Sequence, residues 1–140
     1  MTALVELAAS DNYRDRADAG RALASFAQAP ESREPLLRLL LDVDDTLVTL
    51  VTAEALLRRQ DSAGLVIVAD ALASADFQHS TYIYDAARTV FMVFSSERDQ
   101  AMEACEALSL DASAQVRQGA AALREMLAEI QPVLYPQEPV

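Results

Sequence analysis

The feature that most constrains this chain is a period. Acidic or polar turns break an almost continuous helical pattern at Ser10-Asp11-Asn12, Asp42-Val43-Asp44-Asp45, Asp76-Phe77-Gln78 and Asp111-Ala112-Ser113. With Asp11, Asp44, Gln78 and Asp111 as anchors, the spacings are 33, 34 and 33 residues. The same string follows each anchor: small, small, variable, small, aliphatic. It reads Ala19, Gly20, Arg21, Ala22, Leu23 in the first copy and Thr52, Ala53, Glu54, Ala55, Leu56 in the second. The third is Ala86, Ala87, Arg88, Thr89, Val90, and the fourth Gly119, Ala120, Ala121, Ala122, Leu123. Small side chains let helices approach closely, and the aliphatic residue fills the remaining gap. Units of this size bury their apolar faces only against one another, so a stack of helix pairs follows.

A long helix of roughly 15 residues is expected after each anchor and a shorter one before it. The shorter helices carry Leu4, Val5 and Leu7; Leu36, Leu37, Leu40 and Leu41; Val66, Val68, Ala71 and Leu72; and Ala101, Ala104, Cys105 and Leu108. Pro30 and Pro35 mark the start of the second unit, with Pro35 expected in a first helical turn, where a missing N–H costs nothing. Ser96-Glu97-Arg98-Asp99 reads as an N-cap followed by acids, and Asp61-Ser62 reads the same way. Pro132, Pro136 and Pro139 stop any helix, so residues 132–140 are expected to form an extended tail after a repeat domain of residues 1–131. The units are about 1–30, 31–61, 62–95 and 96–131.

The anchor acid, the small-residue string and the paired helices resemble HEAT-like repeats, in particular the short repeats of phycobilisome-lyase-type proteins. The fullest match runs from Asp111 through Val116, Arg117, Ala120, Ala121 and Ala122 to Leu123. The Val-Arg pair is confined to that unit, and the third unit has Gln78 in place of the anchor acid. The resemblance implies an all-α, right-handed α-solenoid of about four HEAT-like helix pairs, with the second helix of each pair lining a concave surface. The hallmarks of tetratricopeptide and ankyrin repeats, which have similar periods, are absent.

Charge narrows the partners. The chain has 22 acidic residues against 11 basic ones, all of them arginine, for a net charge of −11. Such a surface repels phosphates, so nucleic acid is not expected as a partner. No apolar run approaches the ~20 residues of a membrane span, and the first residues lack a signal peptide's basic region. A single cysteine, Cys105, excludes an internal disulfide and fits a reducing compartment, so a cytoplasmic location is expected. The acid excess is uneven. Residues 31–61 hold seven acids and four arginines, and residues 96–131 hold seven and three. The second and fourth units are therefore the ones expected to meet a basic molecule.

Little in the sequence points to catalysis. His79, the only histidine, reads as a turn residue or cap, because no further ligands stand at metal-site spacing. Cys105, at an apolar helical position beside Glu106, reads as a buried thiol. Asp42, Asp44 and Asp45 lack the glycine and distant glutamate of a calcium loop, and helix capping accounts for them. Neither the His-Glu pairs of HEAT-like iron hydroxylases nor the basic aromatic face of HEAT-like DNA glycosylases is present. No catalytic residue, cofactor or metal ligand is assigned.

Positions three, seven, ten and fourteen after each anchor share one side of the long helix. They place Arg14, Asp18, Arg21 and Ser25 on the first, and Leu47, Val51, Glu54 and Arg58 on the second. The third offers Thr81, Asp85, Arg88 and Met92, and the fourth Ala114, Gln118, Ala121 and Glu125. Arg21, Glu54 and Arg88 form a column of alternating sign, readable as a salt-bridge ladder or as part of a partner-binding groove. Ile83 faces the core, so Tyr82 and Tyr84 diverge to either side of it. Asp18, Arg21, Glu54, Arg58, Tyr82, Tyr84, Asp85 and Arg88 are the expected partner-binding residues.

The expectation is a non-catalytic protein–protein interaction module, an adaptor or an inhibitor of immunity type, whose acidic curved surface meets a basic protein. The alternative implied by the resemblance is a lyase-like enzyme or chaperone holding a tetrapyrrole-like ligand in a concave pocket near His79, Tyr82 and Arg88. A third reading is a homodimer joined through apolar solenoid ends, of which the first helix, with Glu6 its only charge, is one.

Overall fold

A computed structural model describes residues 1–136, and the end of the expected tail, including Pro139, lies outside them. Among the described residues the chain is helical: α1 (Thr2–Ala8), α2 (Tyr13–Ala24), α3 (Pro30–Leu40), α4 (Thr46–Arg58), α5 (Ser62–Ser74), α6 (Phe77–Phe91), α7 (Ser95–Ala107) and α8 (Ala114–Glu129). A short 3₁₀ turn, Leu108–Leu110, precedes α8. No helix is long and apolar enough to cross a membrane among these residues.

Side-chain caps fix most helix starts. Asn12, Asp45, Asp61, Asp76 and Ser113 each accept a backbone N–H from the first turn of the helix they precede, filling a donor that would otherwise lack a partner. The caps of the four long helices are thus Asn12, Asp45, Asp76 and Ser113, one or two residues from the expected anchors, and the third unit does carry its acid, at Asp76. Two boundaries differ from expectation. Helix α7 starts at Ser95 after Phe94, which makes no side-chain cap, so Ser96 lies inside the first turn. Helix α3 starts at Pro30, which leaves Pro35 inside the helix. Proline there removes one intrahelical hydrogen bond.

Helices α2, α4 and α6 lie side by side, with α4 in the middle, while α3 packs against α1, α2, α4 and α5. The expected alternation of long and short helices does not hold throughout, since α2 and α4 have 12 and 13 residues and α5 and α7 have 13 each. The small-residue strings face inward: Ala19, Ala53, Ala86, Ala87 and Ala120 are buried, as are Leu23, Leu56, Val90 and Leu123. A Cβ on Gly20 would collide with the Thr52 side chain.

The last pair departs from this arrangement. Continuing the pattern would set α8 beside α6, but α8 makes its most extensive contact with α5. The contact is a backbone approach, since a Cβ on Gly119 would land on the Ala69 carbonyl. The fourth small string therefore packs against α5, where the other three pack among α2, α4 and α6.

Both ends are more tied down than their sequences suggest. Leu4, Val5 and Leu7 of α1 are half-buried against α2 and α3, so the first helix exposes less apolar surface than its sequence suggests. The described part of the tail is extended and tied down. Val133 and Leu134 donate backbone hydrogen bonds to the Met92 and Val93 carbonyls at 2.8 and 2.7 Å, and Ser95 N–H donates to Leu134 at 2.9 Å.

Candidate functional site

Pairing the helices gathers their turns on two edges. One edge holds the turns within pairs, before α2, α4, α6 and α8; the other holds the turns between pairs and the tail.

Hydrogen bonds lace the first edge from turn to turn. Arg16 of α2 reaches Asp42 in the α3–α4 turn through Nε at 2.9 Å and Nη2 at 3.2 Å, and donates Nη1 to the Ser10 carbonyl at 2.9 Å. The Asp42 carboxylate also accepts the backbone N–H of Asp44 and Asp45. Both side chains are buried, and the hydrogen bond to Asp42 raises the Arg16 pKa above its ordinary value against the opposing effect of burial. The Asp42 carbonyl in turn lies 2.7 Å from His79 Nε2, whose Nδ1 lies 2.7 Å from Asp76 Oδ1. The Asp42 carbonyl favours imidazolium and so raises the His79 pKa; burial opposes it and Asp76 adds to it. The Asp76 pKa is lowered, first by the His79 backbone N–H and then by its ring. Gln115 completes the row by donating to Asp70 and Ser74 near the end of α5.

The outward surface of this edge alternates acid and hydrocarbon. Val43, Phe77 and Leu110, one from each of three successive turns, are 90%, 89% and 88% exposed. Asp44 and Asp45, Asp76, and Asp111 are their chain neighbours. The nearby arginines are engaged: Arg16 by Asp42, Arg117 by the Asp111 and Ala112 carbonyls, and Arg14 by the Tyr13 hydroxyl and ring. Two hollows flank the Asp42–Asp45 turn. One of about 490 Å³ has Ala9, Leu37 and Leu41 among its lining, with Asp11 and Asp44. The other, about 260 Å³, is bordered by Asp44, Asp45, Gln78 and His79 and does not reach Tyr82 or Arg88.

The expected partner-binding residues lie elsewhere, on the outward side of α2, α4 and α6. Asp18, Arg21, Arg58 and Arg88 are exposed, while Glu54, Tyr82, Tyr84 and Asp85 are half-buried. The ladder does not form. Arg21 pairs with Asp18 on its own helix at 3.2 Å; Arg88 lies 5.9 Å from the Tyr84 ring centroid; Glu54 makes no ion pair among the described residues. Helix-local partners are closer than those one helix away, so the column of alternating sign stays unlinked. This face carries both signs in similar number, and the acid excess sits on the turns and on α7, with Glu97, Asp99, Glu103 and Glu106.

Cys105 is buried, and burial raises its thiol pKa to about 11. The residue that sequence reasoning missed is Arg16. It stands three positions before the small string, where the other units have Thr49, Ile83 and Val116, all buried. A charge on an otherwise buried column demands a buried partner, and that mismatch was the available signal.

No protein-family model matches this chain, and no curated protein and no solved structure matches it either.

Proposed function

We propose that the chain is a non-catalytic protein-binding module, a right-handed solenoid of HEAT-like helix pairs that docks a basic protein along its acidic turn edge. The observation that carries this reading is the repeated pairing of a nearly fully exposed apolar side chain with a carboxylate, at Val43, Phe77 and Leu110. Exposed hydrocarbon set among charges marks an interaction surface better than either feature alone. The buried Arg16–Asp42 pair and the His79 bridge support it by holding successive turns in fixed relation, so that little ordering entropy is lost on docking. The partner would present lysine or arginine interleaved with apolar residues, in the cytoplasm, as an adaptor's client or an inhibitor's target does.

The test is affinity capture from low to high salt, followed by titration of the captured protein. A basic partner whose affinity falls steeply with salt, and at least tenfold on changing Asp44→Arg together with Phe77→Ser, is the expected result. An acidic partner, or one bound equally by that variant and lost on changing Glu54→Arg, would transfer the site to the α2–α4–α6 face.

A further inference from the structure

The opposite edge carries a different surface. Where the tail pairs with the α6–α7 turn, Met92, Val93, Phe94, Val133, Leu134 and Tyr135 are all exposed, from 41% at Val93 to 72% at Val133. The backbone bonds between residues 92–95 and 133–134 hold the two segments side by side, with Phe94 and Leu134 as bridge partners. Exposed apolar side chains gathered along two paired segments mark an interaction surface more than the same residues scattered singly. Val93 and Phe94 also line a hollow of about 350 Å³ with Val90, and that hollow is bordered by Arg58 and Glu97. Among the described residues neither Arg58 nor Glu97 makes an ion pair, although every other arginine of this edge does: Arg59 bonds Asp61, and Arg98 bonds Asp99.

From this we infer that the tail edge is the interface of a homodimer. An apolar patch bordered by one unpaired cation and one unpaired anion is self-complementary. Under a two-fold axis each Arg58 meets the Glu97 of the other copy, and the hydrocarbon of the two patches is covered at once. A purely basic partner leaves Arg58 opposed, and an acidic one leaves Glu97 opposed within a chain that is already at −11. A second copy supplies both matching charges, a Glu97 for Arg58 and an Arg58 for Glu97. This surface lies away from the acidic turn edge, so the inference stands or falls independently of the function proposed above.

Sedimentation velocity of the full chain, across concentration and from about 0.02 to about 0.5 M salt, gives the first result. Screening relieves the repulsion between two acidic chains, so the dimer is expected to persist or strengthen as salt rises. Val133→Glu, at a side chain facing solvent, is expected to weaken it at least about tenfold with the helical circular dichroism unchanged. The decisive arm uses two variants, Arg58→Glu and Glu97→Arg. Alone, each chain sets like charges against each other across the axis and dissociates at least about tenfold more readily. Mixed, one supplies two carboxylates and the other two guanidinium groups, and a heterodimer is restored. A chain monomeric at every concentration and salt, a dimer indifferent to Val133→Glu, or a mixture that stays monomeric would overturn the inference.

Discussion

The two edges of this molecule are built from the same element, the turn between helices, and reach opposite surfaces. On the acidic edge the polar groups point inward and along the edge, where Arg16, Asp42, His79 and Asp76 satisfy one another. Hydrocarbon and free carboxylates are left outside. On the tail edge Arg59 links the α4–α5 turn to the Ala24 carbonyl and Gln28, but backbone bonds hold the α6–α7 turn to the tail, and the exposed apolar side chains lie along those two segments. Where side chains alone lace the turns, exposed hydrocarbon is dispersed to one residue per turn; where the α6–α7 turn pairs with the tail through backbone bonds, it is gathered along two segments. The first arrangement suits a charged partner lying across several turns, the second a partner with the same patch.

The largest effect expected is on the acidic edge. Replacing Asp42→Leu or Arg16→Met alone strands a buried charge and is expected to cost about 3–5 kcal/mol in urea denaturation. The double variant should recover much of that, because neither ion remains unpaired. If the two single costs simply add, the pair does not hold the edge.

Next is Gly119→Ala, which drives a methyl group into the Ala69 carbonyl. A cost of about 1–3 kcal/mol is expected, with the α7–α8 amides losing hydrogen-exchange protection before those of α2 and α4. Gly20→Ala meets only the Thr52 side chain, so combining it with Thr52→Ala should restore stability; no side-chain change can do that for Gly119→Ala.

Groups on both edges tie stability to pH, His79 in one direction and the lowered Asp76 and Asp61 in the other. Because the folded His79 pKa is raised, its contribution is fully present below the unfolded value and is lost as pH rises through the folded one. The stability gap between the native chain and His79→Gln should therefore be widest in mild acid and narrow toward alkaline pH. A gap that widens with pH would mean that the imidazole is held neutral. On the tail edge Asp61 behaves oppositely. Burial pushes its pKa up, but the Gly64 N–H and Arg59 outweigh this and hold it below the usual value, so its contribution is lost only as pH falls through that lowered pKa.

The smallest effect lies between the edges. The Thr49 and Thr52 hydroxyls are buried without partners, so Thr49→Val should be neutral or stabilising by up to about 1 kcal/mol in thermal unfolding.

The sequence made the helices legible because their signals are local: capping residues, apolar spacing and small-residue strings all act within one or two turns. The strings kept their spacing of 33 or 34 residues while the caps drifted, since buried contacts tolerate less variation than exposed turns. The seat of α8 was not legible. Gly119 fits the repeating string as well as Ala19 or Thr52 does, and nothing in the string says which neighbour a small face will meet. The candidate site divided the same way. Outward positions on the long helices were readable from periodicity. Which charges meet depends on distances between turns, so neither Asp42 as the partner of Arg16 nor the unlinked column of Arg21, Glu54 and Arg88 is legible from periodicity.

The tie between Arg98 and the Ile130 carbonyl joins residues 32 positions apart, and the tail bonds close beside it. Most helix contacts in this chain connect elements adjacent in sequence or one removed, and such contacts form early because little chain must be ordered first. The α5–α8 contact brings Ala69 to Gly119 across three intervening elements, so its closure costs more entropy and seats α8 late. Until α8 is seated, the segment that follows it cannot pair with residues 92–95, so the hydrocarbon of the tail edge takes its fixed shape only when the last helix is in place.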